Sequence, residues 1–209
     1  AYDIALMSRE LLTKHPSITK YTTIWMDTLR DGKSQLVNTN KLIKTYRGIT
    51  GLKTGSTSLA LYNLSASATR DDLSLIAVIM KAPSTKVRFA EAQKLLDYGF
   101  NKFSFKSFGN SGDVIQTVSV NKGVKNHVDA ILENSAGTLI ENGKESQVTQ
   151  TVEINDNIEA PIRKGDVIGK VVFSLDGTEL SSTNLVASCD VDKITLFTMT
   201  KKVVYSWVD

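Results

Sequence analysis

The fold is decided by residues 49–80, which read ITGLKTGSTSLALYNLSASATRDDLSLIAVIM. Apolar and polar residues alternate along residues 62–69, with the apolar ones at Tyr62, Leu64, Ala66 and Ala68. This two-residue period predicts a strand with one apolar face. A turn at residues 70–72 leads into the apolar run 73–80, which is typical of a buried central strand. Together with the strand around Lys53, these segments predict an antiparallel sheet.

Helices are predicted on both sides of this stretch. Asp3 can cap a helix that ends before Pro16, and its apolar residues at Ile4, Met7 and Leu11 follow helical spacing. Residues 21–29 are predicted to be extended, with a hairpin turn around Asp31-Gly32. Pro83 suits the first turn of a second helix that would cover one face of the sheet, with Gly99 as its stop signal. The apolar positions of this helix are Phe89, Ala92, Leu96 and Phe100.

The second half of the chain has no helical periodicity. Its short apolar runs are separated by turn residues such as Asn142-Gly143 and Asp176-Gly177. The predicted runs are 114–120, 127–132, 148–154, 167–175, 185–191 and 194–199. We therefore predict an α+β domain over residues 1–103, a linker over 104–112, and a small all-β domain, sandwich or barrel, over 113–209.

Composition limits the classes of function. The chain has 209 residues, 41% of them hydrophobic and 22% charged, with a net charge of +3 spread along its length. No basic stripe with aromatic residues points to nucleic acid. Cys189 is the only cysteine, and His15 and His127 lie far apart, so neither a disulfide nor a metal site is expected. A chain this long has a core that needs no cofactor.

Lys53-Thr54-Gly55 is the stretch most typical of an active-site wall. A strand with a glycine and neighbouring hydroxyl residues lets a substrate backbone lie close and pair as an added strand. Lys53 would supply positive charge and handle protons, and Thr54 and Thr57 would offer hydroxyl donors to a carboxylate. The alternative is an exposed strand end with ordinary turn residues. Arg88 would lie in the first turn of a helix, where a cation is favoured only beside an anion such as a substrate carboxylate.

Several segments in order resemble the low-molecular-mass penicillin-binding D-alanyl-D-alanine carboxypeptidases. The Lys-Thr-Gly tripeptide is one of the motifs of penicillin-binding proteins and class A β-lactamases. The similar segments are residues 38–42, 51–57, 62–69 and 88–100, followed by 160–169 and 173–177, which resemble the β-rich domain after the catalytic domain of that family. The resemblance implies a serine enzyme that removes the terminal D-alanine of peptidoglycan pentapeptides through an acyl-enzyme and that β-lactam antibiotics acylate.

The same resemblance assigns roles to residues of this chain. Lys53 would line the site and assist proton transfer, Thr54, Gly55, Ser56 and Thr57 would border the substrate, and Arg88 would face its carboxylate. Asp3 and Asn40 would be structural residues near the site. The resemblance also implies an exported protein that faces the cell wall, with a C-terminal membrane anchor. Residues 203–208 suit either the start of that anchor or a last strand.

The chain departs from the family pattern in one respect. The nucleophilic Ser-x-x-Lys and the Ser-x-Asn element should precede Asp3, and Ser17, which has Lys20 three residues later, is not in a family position or a clear helix. Because residue 1 is alanine and a helix begins at once, we expect a piece of a longer protein that is inactive without its amino-terminal half. The alternatives are a class A-like β-lactamase and a non-catalytic cell-wall spacer or binding module.

Overall fold

The computed structural model describes residues 1–196, and the chain divides into two compact units, Ala1–Ser104 and the residues from Phe105 onward. Residues 203–208, assigned above to an anchor or a last strand, lie outside the described part. No helix among residues 1–196 is long and apolar enough to cross a membrane. The α+β fold class is confirmed by the helices and antiparallel sheets of the two units.

The first unit contains four α-helices and five strands. In chain order they are α1 (Tyr2–Lys14), α2 (Thr19–Thr22), β1 (Met26–Leu29), β2 (Ser34–Val37), α3 (Leu42–Thr45), β3 (Ile49–Thr57), β4 (Leu61–Arg70), β5 (Leu73–Ala82) and α4 (Thr85–Lys102). Strands β1 and β2 form the predicted hairpin around Asp31-Gly32. The prediction of an extended segment over 21–29 is wrong at its start, because a 3-10 turn that begins at Pro16 continues into α2.

The central sheet is antiparallel, and its strand order is β3-β4-β5. The alternation along β4 is confirmed, since Leu64, Ala66 and Ala68 are buried together. The prediction that the apolar run 73–80 forms a central strand is wrong, because β4 lies in the middle and β5 lies at an edge among the described residues. Met80 in β5 is accordingly 50% exposed.

Helix α4 covers one face of this sheet, as predicted. It packs Phe89, Ala92 and Leu96 against Leu64, Ala66, Ala68 and Ala77. Ser84 caps the helix by accepting a hydrogen bond from the Val87 amide, so Pro83 lies before the cap rather than in the first turn. Burial of this apolar stripe stabilises the unit by about 25 cal/mol for each Å² of apolar surface removed from water.

Gly99 does not stop α4. It is buried within the helix, which continues to Lys102. A Cβ atom at this position would lie 2.5 Å from Leu75 Cδ1. The glycine therefore allows close packing of helix on sheet, and the prediction of a stop signal is wrong.

Tyr46 closes one end of this core with a polar contact. Its hydroxyl donates to Asp97 Oδ1 at 2.7 Å, and the Arg70 guanidinium lies 3.8 Å from the same oxygen. Burial, followed by the hydrogen bond to Asp97, raises the pKa of Tyr46 to about 12. The neutral phenol is the form that the fold stabilises.

Helix α1 packs against the opposite face of the sheet. Ala1 is its N-cap, so the prediction that Asp3 caps the helix is wrong by two positions. Asp3 lies in the first turn, where its charge favours the helix dipole. Ser8 is the one buried residue of α1.

The described residues of the second unit form mainly strands, with a 3-10 turn at Glu145–Gln147. The strands are β6 (Phe103–Gly109), β7 (Val114–Ser119), β8 (His127–Leu132), β9 (Ala136–Glu141), β10 (Thr149–Ile154), β11 (Val167–Leu175) and β12 (Thr178–Ala187). Five of them form one sheet of order β10-β11-β12-β8-β7, and β6 pairs with β9. Its core includes Phe173, whose ring stacks on Phe108 at 4.4 Å.

Sequence patterns found most of these strands and missed two. Of the predicted run 194–199, residues 194–196 form no strand, and 197–199 lie outside the described residues. Strand β6 occupies most of the segment predicted as a linker over 104–112, and β9 was not predicted. Asp176-Gly177 forms the expected two-residue turn, with both residues at positive φ. This turn starts β12 at Thr178, seven residues before the predicted start, because polar side chains hide the strand's alternation.

Candidate active site

Strand β3, which carries Lys53-Thr54-Gly55, lies at an edge of the central sheet. Its beginning is covered: Thr22 Oγ1 donates to the Thr50 carbonyl at 2.5 Å, and Asn40 Nδ2 donates to the Gly51 carbonyl at 3.1 Å. From Lys53 onward the strand pairs with β4 on one side, and no strand among residues 1–196 pairs with its other side. That open edge can accept an extended peptide.

Lys53 and Thr57 project from one face of β3, and Gly55 lies on the same face. Helix α1 packs against this face of the sheet. The three β3 residues are exposed, and they lie opposite Ser65, Asn63 and Leu61 of β4. The Lys53 ammonium donates to the carbonyl oxygen of Thr54. Thr57 Oγ1 accepts from the Ala60 amide at 2.9 Å and so helps to close the turn after β3.

Gly55 has open space above it. A Cβ atom built there would meet no heavy atom within 4 Å, whereas a Cβ atom at Gly51 would lie 2.8 Å from Thr22 Cβ. Gly55 also adopts a backbone conformation that other residues can adopt, since it is absent from the positive-φ glycines. The packing of the described residues therefore gives no reason for glycine at position 55, and close approach of a ligand would give one.

Thr54 and Ser56 project from the other face of β3. Thr54 is only 6% exposed, and its hydroxyl oxygen lies 2.5 Å from Thr39 Oγ1, a pair in which either group can donate. Ser56 is exposed and lies opposite Tyr62. The five consecutive residues 53–57 thus fall on two faces of one strand.

The Arg88 side chain is buried at the same end of the sheet. It is 6% exposed, and its Nη1 donates to the Asn63 carbonyl at 3.2 Å; Asn63 is the residue paired with Gly55. Its guanidinium also lies 4.8 Å from the Phe89 ring centre and 5.6 Å from that of Tyr62.

The environment of Arg88 disfavours an isolated charge. Burial lowers the pKa of the guanidinium. Its Nε has no hydrogen-bond partner among the described residues, and no acidic residue lies in the first turn of α4. A buried cation with an unused donor is a site where a bound carboxylate is favoured.

Asn40 and Asp3 occupy different settings. Asn40 is 1% exposed and links two segments, because its Oδ1 accepts from the Leu42 amide at 3.2 Å while its Nδ2 holds Gly51. It fixes the loop before α3 against the start of β3. Asp3 is exposed in the first turn of α1.

A cavity of about 380 Å³ lies between α1 and the Lys53 face of the sheet. Its lining includes Gly55 and five polar residues, which are Ser8, Lys53, Thr54, Asn63 and Ser65. The apolar lining residues include Ile4, Met7, Leu11, Leu52, Val78 and Met80. Ser17 and Lys20 do not line it, and both are exposed.

Sequence reasoning did not select Ser8 and Ser65 as site residues. The alternation along β4 did place Ser65 on the polar face. Its position opposite Lys53 depends on the pairing register of β3 and β4, which the sequence pattern alone does not give.

Comparisons with known proteins show similarity to one family of enzymes in both halves of the chain. A family model described as D-alanyl-D-alanine carboxypeptidase matches residues 1–84, and one described as Penicillin-binding protein 5, C-terminal domain, matches residues 103–193. The chain is 36% identical to D-alanyl-D-alanine carboxypeptidase DacF of Bacillus subtilis, over 99% of this chain and 54% of that protein. It is 37% identical to DacA of Haemophilus influenzae, over 94% of this chain and 50% of that protein.

A solved structure of a penicillin-binding protein is also similar to this chain. Penicillin binding protein 5 from Haemophilus influenzae superposes with a TM-score of 0.74 at 36% identity, covering 91% of this chain and 56% of that one. The chain spans about half the length of the relatives it matches. These relatives do not favour the β-lactamase or spacer alternatives. The chain belongs to the D-alanyl-D-alanine carboxypeptidase family of low-molecular-mass penicillin-binding proteins.

Proposed function

We propose that the whole protein containing this chain is a serine-type carboxypeptidase that removes the terminal D-alanine from peptidoglycan stem pentapeptides. A serine hydroxyl attacks the carbonyl of the penultimate D-alanine, the terminal D-alanine leaves, and water hydrolyses the resulting ester. A β-lactam is attacked in the same way and leaves an acyl-enzyme. The nucleophilic serine and its Ser-x-x-Lys lysine come from outside this chain, which supplies one wall of the site.

The wall consists of the open edge of β3. A peptide laid along it pairs with the backbone near Gly55, where no side chain stands in the way. The Lys53 ammonium lies beside the reacting groups, where it stabilises negative charge and assists proton transfer. Thr54, Ser56 and Thr57 border the bound peptide.

Arg88 provides the charge that selects a free carboxylate. A carboxypeptidase must distinguish the end of a chain from its interior, and the terminal carboxylate is the group that differs. A guanidinium that is already desolvated binds a carboxylate more strongly than one in water. Arg88 is buried next to the carbonyl of the residue opposite Gly55, which supports this role.

The observation that carries the proposal is the empty space above Gly55, on an open strand edge beside Lys53. A glycine that the packing of the described chain does not require is accounted for by a substrate backbone. The residue types along 62–69 of β4, by contrast, are explained by packing in the core and by pairing with β3 and β5.

Substitution of Gly55 by alanine tests this role. We expect Gly55→Ala to leave thermal stability unchanged or slightly raised, because alanine costs less conformational entropy than glycine. In the whole protein the same change should lower kcat/KM for release of D-alanine from an acyl-D-Ala-D-Ala peptide about tenfold or more, since the added methyl occupies the space of the substrate backbone.

The controls separate the site from the fold. Lys53→Ala should reduce D-alanine release strongly, whereas Lys94→Ala, which removes an exposed lysine from α4, should not. Full activity in Gly55→Ala and Lys53→Ala would overturn the proposal. Activity of the whole protein against a chromogenic cephalosporin with rapid turnover would instead identify a β-lactamase.

The substrate determines where the protein acts. Peptidoglycan lies outside the cytoplasm, so we propose that the whole protein is exported, faces the cell wall and associates with the membrane through an anchor after this chain. Binding of a longer protein to liposomes, compared with residues 1–209, tests the anchor.

A further inference from the structure

Two buried hydroxyl groups connect α1 to the sheet next to Lys53. Ser8 Oγ lies 2.8 Å from Ser65 Oγ and 2.7 Å from the Ile4 carbonyl oxygen. Ser8 is 7% exposed and Ser65 is 8% exposed. On the α1 side their surroundings are otherwise apolar, because Ile4, Met7 and Leu11 line the same cavity.

The direction of these hydrogen bonds follows from the number of protons. A serine hydroxyl has one proton to donate and two lone pairs. The Ile4 carbonyl can only accept, so the Ser8 proton is directed to it. Ser65 must then donate its own proton to Ser8. The oxygen of Ser65 is left with acceptor capacity only, and among the described residues no other side-chain hydrogen bond reaches it.

Lys53 is the nearest donor by register. It lies directly opposite Ser65 in the β3-β4 pairing, so both side chains project from the same face. Cβ atoms of such pairs are about 4.5–5.5 Å apart, within reach of a lysine side chain. An ammonium has three donors. In this structure the Lys53 ammonium donates to the Thr54 carbonyl and not to Ser65, so two donors remain for the Ser65 oxygen.

We propose that Ser65 is a positioning residue that holds the Lys53 ammonium in place, and that Ser8 keeps the Ser65 oxygen directed toward it as an acceptor. This role rests on the proposed function, because it matters for catalysis only if Lys53 takes part. A lysine has a flexible four-carbon stem, and fixing its charge beside the substrate removes unproductive positions. Among the described residues on the α1 side of the cavity, Ser8 is the only polar one in the lining, so that side offers few competing partners.

Ser67, two residues after Ser65 on β4, provides a matched control. Ser67 projects from the same face of β4, is 1% exposed and forms an equivalent hydroxyl pair with Thr50 at 2.7 Å. It lies opposite Gly51 rather than Lys53. Ser65→Ala and Ser67→Ala therefore remove the same kind of bond, and only the first removes the acceptor proposed for Lys53.

The first experiment uses residues 1–209 and needs no catalysis. Each variant is treated with a low concentration of an acetylating reagent, and mass spectrometry measures the acetylation rate of Lys53 relative to that of Lys94. We expect the Lys53 rate to rise severalfold in Ser65→Ala and to stay unchanged in Ser67→Ala. Ser65→Thr, which keeps an acceptor oxygen, should match the unmodified chain. An unchanged Lys53 rate in Ser65→Ala overturns the proposal.

The second experiment uses the whole protein and D-alanine release. We expect Ser65→Ala to lower kcat about tenfold with little change in KM, and Ser65→Thr to restore it. Equal losses in Ser65→Ala and Ser67→Ala would show a purely structural role and overturn the proposal. If the unmodified whole protein releases no D-alanine while the acetylation result holds, the proposed function fails and the Ser65–Lys53 contact stands.

Discussion

Replacement of Arg88 by methionine should lower activity far more than it changes stability. In the chain itself the buried guanidinium makes one hydrogen bond, to Asn63, and keeps its Nε without a partner among the described residues. Methionine loses that bond, worth about 1 kcal/mol, but it also removes the desolvation cost of the charge. We expect the free energy of unfolding to change by no more than about 1 kcal/mol.

The effect on catalysis should be much larger. A hydrogen bond to a charged group contributes about 1.5–3 kcal/mol, which corresponds to a loss of roughly 10- to 150-fold in kcat/KM when the carboxylate loses its partner. Arg88→Lys should recover only part of the loss, because an ammonium lacks the planar fork of donors.

Two assays measure the two effects. Urea unfolding of residues 1–209 gives stability, and D-alanine release by the whole protein gives kcat/KM. The control is Lys86→Met, which removes an exposed cation from the same helical turn and should leave both quantities unchanged. The reasoning is refuted if Arg88→Met lowers the free energy of unfolding by more than about 2 kcal/mol while kcat/KM remains that of the unmodified protein.

Two further predictions concern the core of the first unit. The pKa of Tyr46 is raised from 10.0 to about 12 in the folded state. The neutral hydroxyl therefore contributes to the free energy of unfolding below pH 10, and this contribution is lost as the pH rises toward 12. This loss should be about 2–3 kcal/mol in urea titrations and should be absent in Tyr46→Phe. Gly99→Ala places a Cβ atom 2.5 Å from Leu75 Cδ1, and we expect destabilisation by about 1–2 kcal/mol despite the better helix propensity of alanine. Thermal unfolding of the Gly99→Ala/Leu75→Ala pair should show less than additive losses, and additive losses would contradict the contact.

The sequence predicted the elements whose signal is local. Alternation along residues 62–69 identified β4 and its apolar face, and Asp31-Gly32 and Asp176-Gly177 identified their turns. The apolar run before Lys53 and the polar turn after it placed Lys53 on a strand. In each case a few neighbouring residues contain the physical cause.

Features that depend on distant contacts were not predictable in this way. Gly99 looked like a helix stop, but its role is set by Leu75, which lies 24 positions earlier in the chain. The position of β5 at an edge depends on which strands pair, and not on its apolar run. The burial of Arg88 and the pairing of Ser8 with Ser65 likewise require the packing of helices on both faces of the sheet.

The central claim is that the Lys53-Thr54-Gly55 edge forms one wall of an acyl-transfer site whose nucleophile lies outside this chain. Labelling with a fluorescent penicillin tests it most directly, with residues 1–209 and the whole protein incubated side by side and resolved on a denaturing gel. We expect a stable fluorescent band from the whole protein, a much weaker one from its Lys53→Ala variant, and none from residues 1–209. Stable labelling of residues 1–209 alone, or undiminished labelling of the Lys53→Ala variant, would contradict the account.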